Sequence, residues 1–140
     1  MPTFSQTAFI NASPEKVFAV LSDPLQIPKW RTDVPGIHEI IGNQGGATFI
    51  EDVNFMGKKK LRMKVTSFEP NTHITITAQS GMSILPTQSF TLTPKSNGTQ
   101  IQLNVDLKVS GPMKLMAPLF PKQFKKIWAK YFINLNEYLK

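Results

Sequence analysis

Proton chemistry near neutral pH falls first to histidine, and the chain has two, His38 and His73. His73 follows Asn71-Thr72 at the edge of a hairpin, where a solvated turn residue is expected. His38 stands between Ile37 and Glu39, and its neighbours leave its face undecided between a cavity and solvent. With no cysteine and neither His-x-His nor HExxH spacing, no metal site is expected. Glu51 and Asp52 are adjacent in the run ATFIEDVNFM, so in a strand they point to opposite faces. Glu51 shares its parity with Phe49, Val53 and Phe55, which puts it on the apolar face. A carboxyl buried there holds its proton more tightly and suits a general acid or base. The other reading of Glu51 is an ion-pair partner, across the strands, of Lys60, Arg62 or Lys64. Ser80-Gly81 and Ser110-Gly111 lack the GxSxG elbow of a nucleophilic serine. GNQGG, from Gly42 to Gly46, is a hairpin turn and matches neither a Walker loop nor a dinucleotide pattern, and no cofactor is expected. Glu51 and His38 are therefore the catalytic candidates, without a complete constellation around either.

The elements that would position these groups are mostly strands. FSQTAFINAS, Phe4 to Ser13, reads as a first strand, and a capping Asn11 or Ser13 followed by Pro14 and Glu15 starts a helix. That helix has Val17, Phe18, Val20 and Leu21 on one face and is interrupted by Asp23-Pro24. DPLQIPKWRTDVPG then spends three prolines on a stiff segment that carries Trp30, read as a linker helix and turn holding Trp30 near the mouth of a cavity. Arg31 beside it could meet an anionic head group or sit in water, and water is the expectation. GIHEII, Ala47 to Met56 and Lys59 to Phe68 follow as strands. In the last of these Leu61, Met63 and Val65 alternate with Lys60, Arg62 and Lys64, a half-buried strand with a cationic outer face. THITITAQS is another strand, and Pro86 marks the next, which runs to Thr93, as an edge or a bulge. KSNG is a hairpin turn, and Thr99 to Val109 alternates most strictly of all. About seven strands result.

The period then changes. Phe124, Ile127, Trp128, Tyr131, Leu135 and Tyr138 recur at helical steps, which predicts a helix from about Pro121 to Leu139. Pro118 and Pro121 should kink or break the apolar run before it. The net charge of +7 is concentrated on the basic strand and on the ridge Lys122, Lys126 and Lys130. These faces could meet an anionic membrane surface or a protein partner; nucleic-acid binding is not expected, because the aromatics suited to stacking point inward. The length fits one domain, 1–140, and the N-terminal residues resemble neither a signal peptide nor a membrane span, so a cytoplasmic location is expected.

ASPEKVFAVLSDP (Ala12 to Pro24), PKW ending at Trp30, VTSFEPNTHITI, FTLTPKSNGTQIQLNV and GPMKLMAPLF together give the sequence a family resemblance. It resembles the polyketide cyclase/dehydrase and lipid-transport family of the START-like (SRPBCC) superfamily. The resemblance implies an α+β helix-grip fold: a curved antiparallel sheet of about seven strands wrapped around a long C-terminal helix, with two short helices after strand 1. It implies binding or transport of a hydrophobic small molecule, lipid, polyketide or quinone-like, in an apolar cavity between sheet and helix. A cyclase or dehydratase using an inward carboxylate or histidine is the alternative. In such a fold Trp30, Phe55, Met63, Phe90, Phe120, Phe124, Trp128 and Tyr131 would line the cavity, with Glu51 or Tyr131 orienting the ligand. The chain ends in LNEYLK, where family members commonly carry the acid-bearing type LKxxLE.

Overall fold

The first strand is shorter than its composition suggests, because two polar side chains turn the chain away from the sheet. In the computed structural model, which describes residues 2–140, β1 spans Thr3–Ile10. The N–H of Asn11 is taken by Asn136 Oδ1 at 2.9 Å. Ser13, extended at φ −64° and ψ 155°, accepts a hydrogen bond from the Lys16 N–H and so caps helix α1, Pro14–Leu21. Pro14 costs nothing at the first helical position, where its missing N–H has no partner to lose. Asp23 stops α1 and caps the 3-10 turn Pro24–Gln26 by accepting from the Leu25 N–H. One further helical turn, α2, Ile27–Trp30, follows.

Six strands then complete the sheet: β2 Gly36–Ile41, β3 Thr48–Asn54, β4 Lys58–Glu69, β5 His73–Ser80, β6 Ile84–Lys95 and β7 Gly98–Val109. All neighbours are antiparallel, and the order is β1-β7-β6-β5-β4-β3-β2. The period-2 pattern decides which face is which: Leu61, Met63 and Val65 of β4 are buried, while Lys60 and Arg62 face solvent. Pro86 lies in an interior strand, which its missing donor would forbid. The register shows how it is tolerated: the pairing of β6 with β5 ends at Thr87, so Pro86 pairs only with Leu107 of β7, on a local edge.

The long helix α3 spans Phe120–Tyr138 and buries Phe120, Trp128, Tyr131, Phe132 and Leu135. Pro121 does not break it. The proline occupies the first turn, while Pro118 lies in a preceding 3-10 segment, Gly111–Leu119, outside the α-helical ladder. Directional bonds join α3 to other elements near its C-terminal end. Asn134 Nδ2 donates to the Trp30 carbonyl, Asn136 Nδ2 to the Phe9 carbonyl, and the Tyr138 hydroxyl to Gln26 Oε1.

Between β5 and β6, Gly81 has φ +127°, and a Cβ there would run into the Lys60 carbonyl of β4. Gly46 also has a positive φ, +87°, but opens onto free space. Gly81→Ala should therefore lower the unfolding free energy by about 2–4 kcal/mol, strain and overlap together, against about 1 kcal/mol for Gly46→Ala. Urea denaturation of the two variants checks the difference.

Candidate functional site

A curved sheet cannot pack flush along the whole of a straight helix, and the gap becomes a cavity. Here it has a volume of about 310 Å³, at the lower end of the roughly 300–1,000 Å³ of small-molecule sites. Leu61, Ile84, Val105 and Leu107 supply the sheet side. Phe124, Ile127, Trp128 and Tyr131 of α3 supply the other. Phe55, in the turn between β3 and β4, closes in beside Phe124, their ring centroids 5.6 Å apart.

One wall is charged. Arg31, Asp33 and Glu51 all line the cavity, the first two brought there by the chain leaving α2 and Glu51 by β3. That loop is fixed by main-chain bonds: Val34 N–H donates to the Arg31 carbonyl at 3.1 Å and Asn54 N–H to the Asp33 carbonyl at 2.9 Å. Arg31 is not in water, as its neighbours in sequence suggested, but only 7% exposed. Its guanidinium lies over the rings of Trp128 and Tyr131, 5.1 and 5.5 Å from their centroids, a cation–π arrangement that partly replaces lost hydration. Arg31 Nη1 is 3.5 Å from Glu51 Oε2, and Arg31 Nε is 3.9 Å from Asp33 Oδ1. These are charge pairs at loose range. No described residue hydrogen-bonds Arg31 Nε, Asp33 Oδ1 or Glu51 Oε1.

Burial governs the titration of this cluster. It pushes the Glu51 carboxyl above its ordinary value; Arg31 pulls the other way and Asp33 adds to the rise. Burial works against the charge of Arg31, but Glu51 and Asp33 more than offset it and the guanidinium is held charged. The Tyr131 phenol is raised well beyond its ordinary value, mainly by burial, and stays neutral.

Of the residues the sequence put forward, Phe55, Phe124, Trp128, Tyr131 and Glu51 line this cavity. Trp30, Met63, Phe90 and Phe120 stand behind the lining as buried packing. Trp30 is not at a mouth opposite α3 but packed on it, with centroids 5.9 Å from Trp128 and 6.5 Å from Tyr131. Phe90 packs on Trp128 and Phe120 stacks on Phe124. Glu51 faces inward opposite Leu61, so it is Asp52, opposite Lys60, that makes the cross-strand pair. Lys60 donates to Asp52 Oδ1 at 2.8 Å, and this bond first, then His38, holds the Asp52 carboxyl below the usual range. His38 lies with Asp52 on the outer face, half-exposed, away from the cavity. His73 is tied to Thr91 and Thr75 by its two ring nitrogens.

Sequence reasoning missed Asp33 and Gln88 as cavity residues and gave Arg31 a ligand contact only as the less favoured alternative. Gln88 had a signal: it shares its parity in β6 with Phe90 and Leu92, and it is 3% exposed and lines the cavity. Among the described residues no group of three His, Asp or Glu side chains could hold a metal ion, and no helix is long and apolar enough to cross a membrane.

Residues 1–139 match the family of polyketide cyclase/dehydrase and lipid-transport proteins. The chain belongs to this family. Its fold is the helix-grip fold of START-like proteins, similar to a START superfamily protein from Mycobacterium smegmatis, 22% identical, TM-score 0.80, over 99% of each chain. It is also similar to TTHA0849 from Thermus thermophilus, 16% identical, TM-score 0.82, over 99% of this chain and 97% of that one. A conserved protein from Geobacillus kaustophilus is 18% identical with TM-score 0.82, over 99% of this chain and 95% of that one. At these identities the likeness is one of fold. No functionally curated protein matches the chain in sequence.

Because the folded-state pKa of Glu51 is raised, its ionisation opposes folding. The cost is absent below its ordinary value of 4.5 and grows as the pH rises from there to the folded-state value. Glu51→Gln lacks that cost. Relative to wild type it should therefore gain stability as the pH rises through the range that begins at about 4.5. Urea unfolding at a series of pH values measures the difference.

Proposed function

We propose that the protein binds a hydrophobic small molecule in the cavity between sheet and α3, its apolar body against Phe55, Phe124 and Trp128 and a polar end against Arg31, Asp33 and Glu51. The observation that carries this is an apolar cavity with a buried charged wall whose hydrogen-bonding atoms lack protein partners. A fold stabilised for packing alone would gain from apolar residues there, since burying charges at loose range costs more than it returns. The family supports the same reading, because its description includes lipid transport. The roughly 310 Å³ volume favours a compact ligand over a long-chain lipid.

The neutral dye N-phenyl-1-naphthylamine should bind one to one and quench tryptophan emission through Trp128. Val105→Phe puts a ring into the cavity from the sheet side and should weaken the dye at least about tenfold, at a stability cost of about 1–3 kcal/mol. Equal binding by wild type and variant would place the dye elsewhere and remove the support for this cavity. Mass spectrometry of small molecules that co-purify with the protein then identifies the natural occupant.

A second reading is a cyclase or dehydratase, favoured by one observation: Glu51 is 1% exposed on the cavity wall, with its proton affinity raised by burial. Such a carboxyl, beside a fixed guanidinium, is equipped to take or give a proton within bond-forming reach of a bound substrate. In that case Glu51→Gln abolishes turnover of a polyketide-type substrate while binding survives; retained turnover leaves the carrier reading alone.

A further inference from the structure

The charged wall also restricts what the buried end of a ligand can be. Arg31 Nε is a donor, Asp33 Oδ1 and Glu51 Oε1 are acceptors, and none of the three has a protein partner at full hydrogen-bond geometry, the Tyr131 hydroxyl reaching Arg31 and Asp33 only loosely. Arg31, between the two carboxyl groups, and Glu51 are deep, at 7% and 1% exposure, while Asp33 is part-exposed. Each candidate group can be tested against this set. A hydrocarbon answers none of the three atoms and leaves them desolvated. A carboxylate only accepts: it can answer Arg31 Nε, but its other oxygen then faces the acceptors of Asp33 and Glu51. An ammonium answers the acceptors but meets a guanidinium held beside the same rings. A hydroxyl donates one hydrogen bond and accepts another, so without adding charge it answers Arg31 Nε and one of the two carboxyl oxygens.

The charge balance points the same way. One guanidinium faces two carboxyl groups, so a ligand anion would add negative charge to a wall with no excess of positive charge. Lys130 also lines the cavity, but its side chain is exposed and its charge is screened by water. Tyr131, its phenol neutral, adds no charge, and its hydroxyl lies beside Arg31 and Asp33 as a further donor and acceptor of the same wall.

We propose that the ligand end seated against Arg31, Asp33 and Glu51 is a neutral hydroxyl, of the alcohol or phenol type, and that the site discriminates against carboxylates such as fatty-acid anions. This rests on the ligand-binding reading above and adds the chemical class of the ligand.

Three probes of one shape separate the cases: 2-naphthol, 2-methylnaphthalene and 2-naphthoate, titrated calorimetrically into the full chain at pH 7. At that pH the naphthol is neutral and the naphthoate ionised. 2-Naphthol should bind at least about tenfold more tightly than either of the others, the gain of a hydrogen bond to a charged partner. In Glu51→Gln the preference for naphthol over naphthoate should narrow, and in Asp33→Asn/Glu51→Gln, where only Arg31 keeps its charge, it should disappear or invert. The single variant keeps the shape of the side chain and serves alone if the double variant does not fold. If naphthoate binds wild type as tightly as naphthol, if the methyl compound equals naphthol, or if Glu51→Gln leaves the ratio unchanged, the hydroxyl proposal is overturned while ligand binding stands. If none of the three binds the folded protein, the ligand-binding reading falls as well.

Discussion

A guanidinium held out of water sets the terms for much of this structure. Arg31 is always charged, and enclosing it between sheet and helix is tolerable only with compensation from several directions. Glu51 and Asp33 supply opposite charge, and the faces of Trp128 and Tyr131 supply cation–π contact. Each source of compensation comes from a different element: β3, the loop after α2, and α3. The same charge that the interior must accommodate therefore ties three elements together around one volume, and the apolar cavity acquires a direction, with one charged wall.

Trp128 is the apolar counterpart of Arg31. Its ring packs against Trp30, Phe90, Tyr131 and Phe132, with centroids between 5.1 and 5.9 Å away. Edge-on and tilted aromatic pairs of this kind add to the stability that burial alone gives. They also fix the rotamer of the residue over which the guanidinium lies. Packing and electrostatics meet in this one side chain. A helix-grip fold as such hosts many activities, so function has to be argued from the groups around Trp128 and Arg31.

Much of the architecture could be read from local pattern. Leu61, Met63 and Val65 alternate with cations, and Ile101 to Leu107 alternate with polar residues, so burial of β4 and β7 followed from period alone. The helical step from Phe124 to Tyr138 fixed α3 to within a residue at each end, and parity placed Glu51 inward. The parts that escaped are those decided by distant residues. Arg31 is buried because of Glu51, twenty positions further on, and no local signal carries that information. Trp30, Met63 and Phe90 have the same composition as the lining residues, and only the fold separates a side chain that touches the cavity from one that supports it. Gln88 was legible in principle, a polar residue on an apolar parity. The prolines followed their local rules: Pro86 sits on a local edge of β6, and Pro121 opens the first turn of α3 just after the 3-10 segment that holds Pro118.

The side-chain hydrogen bonds from α3 to the Trp30 carbonyl, to the Phe9 carbonyl and to Gln26 all leave the segment from Asn134 to Tyr138. The opposite end, where Phe120 and Phe124 cover the cavity beside Phe55, is held by aromatic packing. Directional bonds resist displacement in every sense, whereas stacked rings can slide. Between the two ends the Gln6 amide of β1, in the orientation that satisfies both its atoms, donates to the Lys125 carbonyl and accepts from the Ala129 N–H. Directional bonds therefore reach α3 from its middle to its C-terminal end. The first turn, over the cavity beside Phe55, is the part of the wall whose displacement breaks none of these bonds.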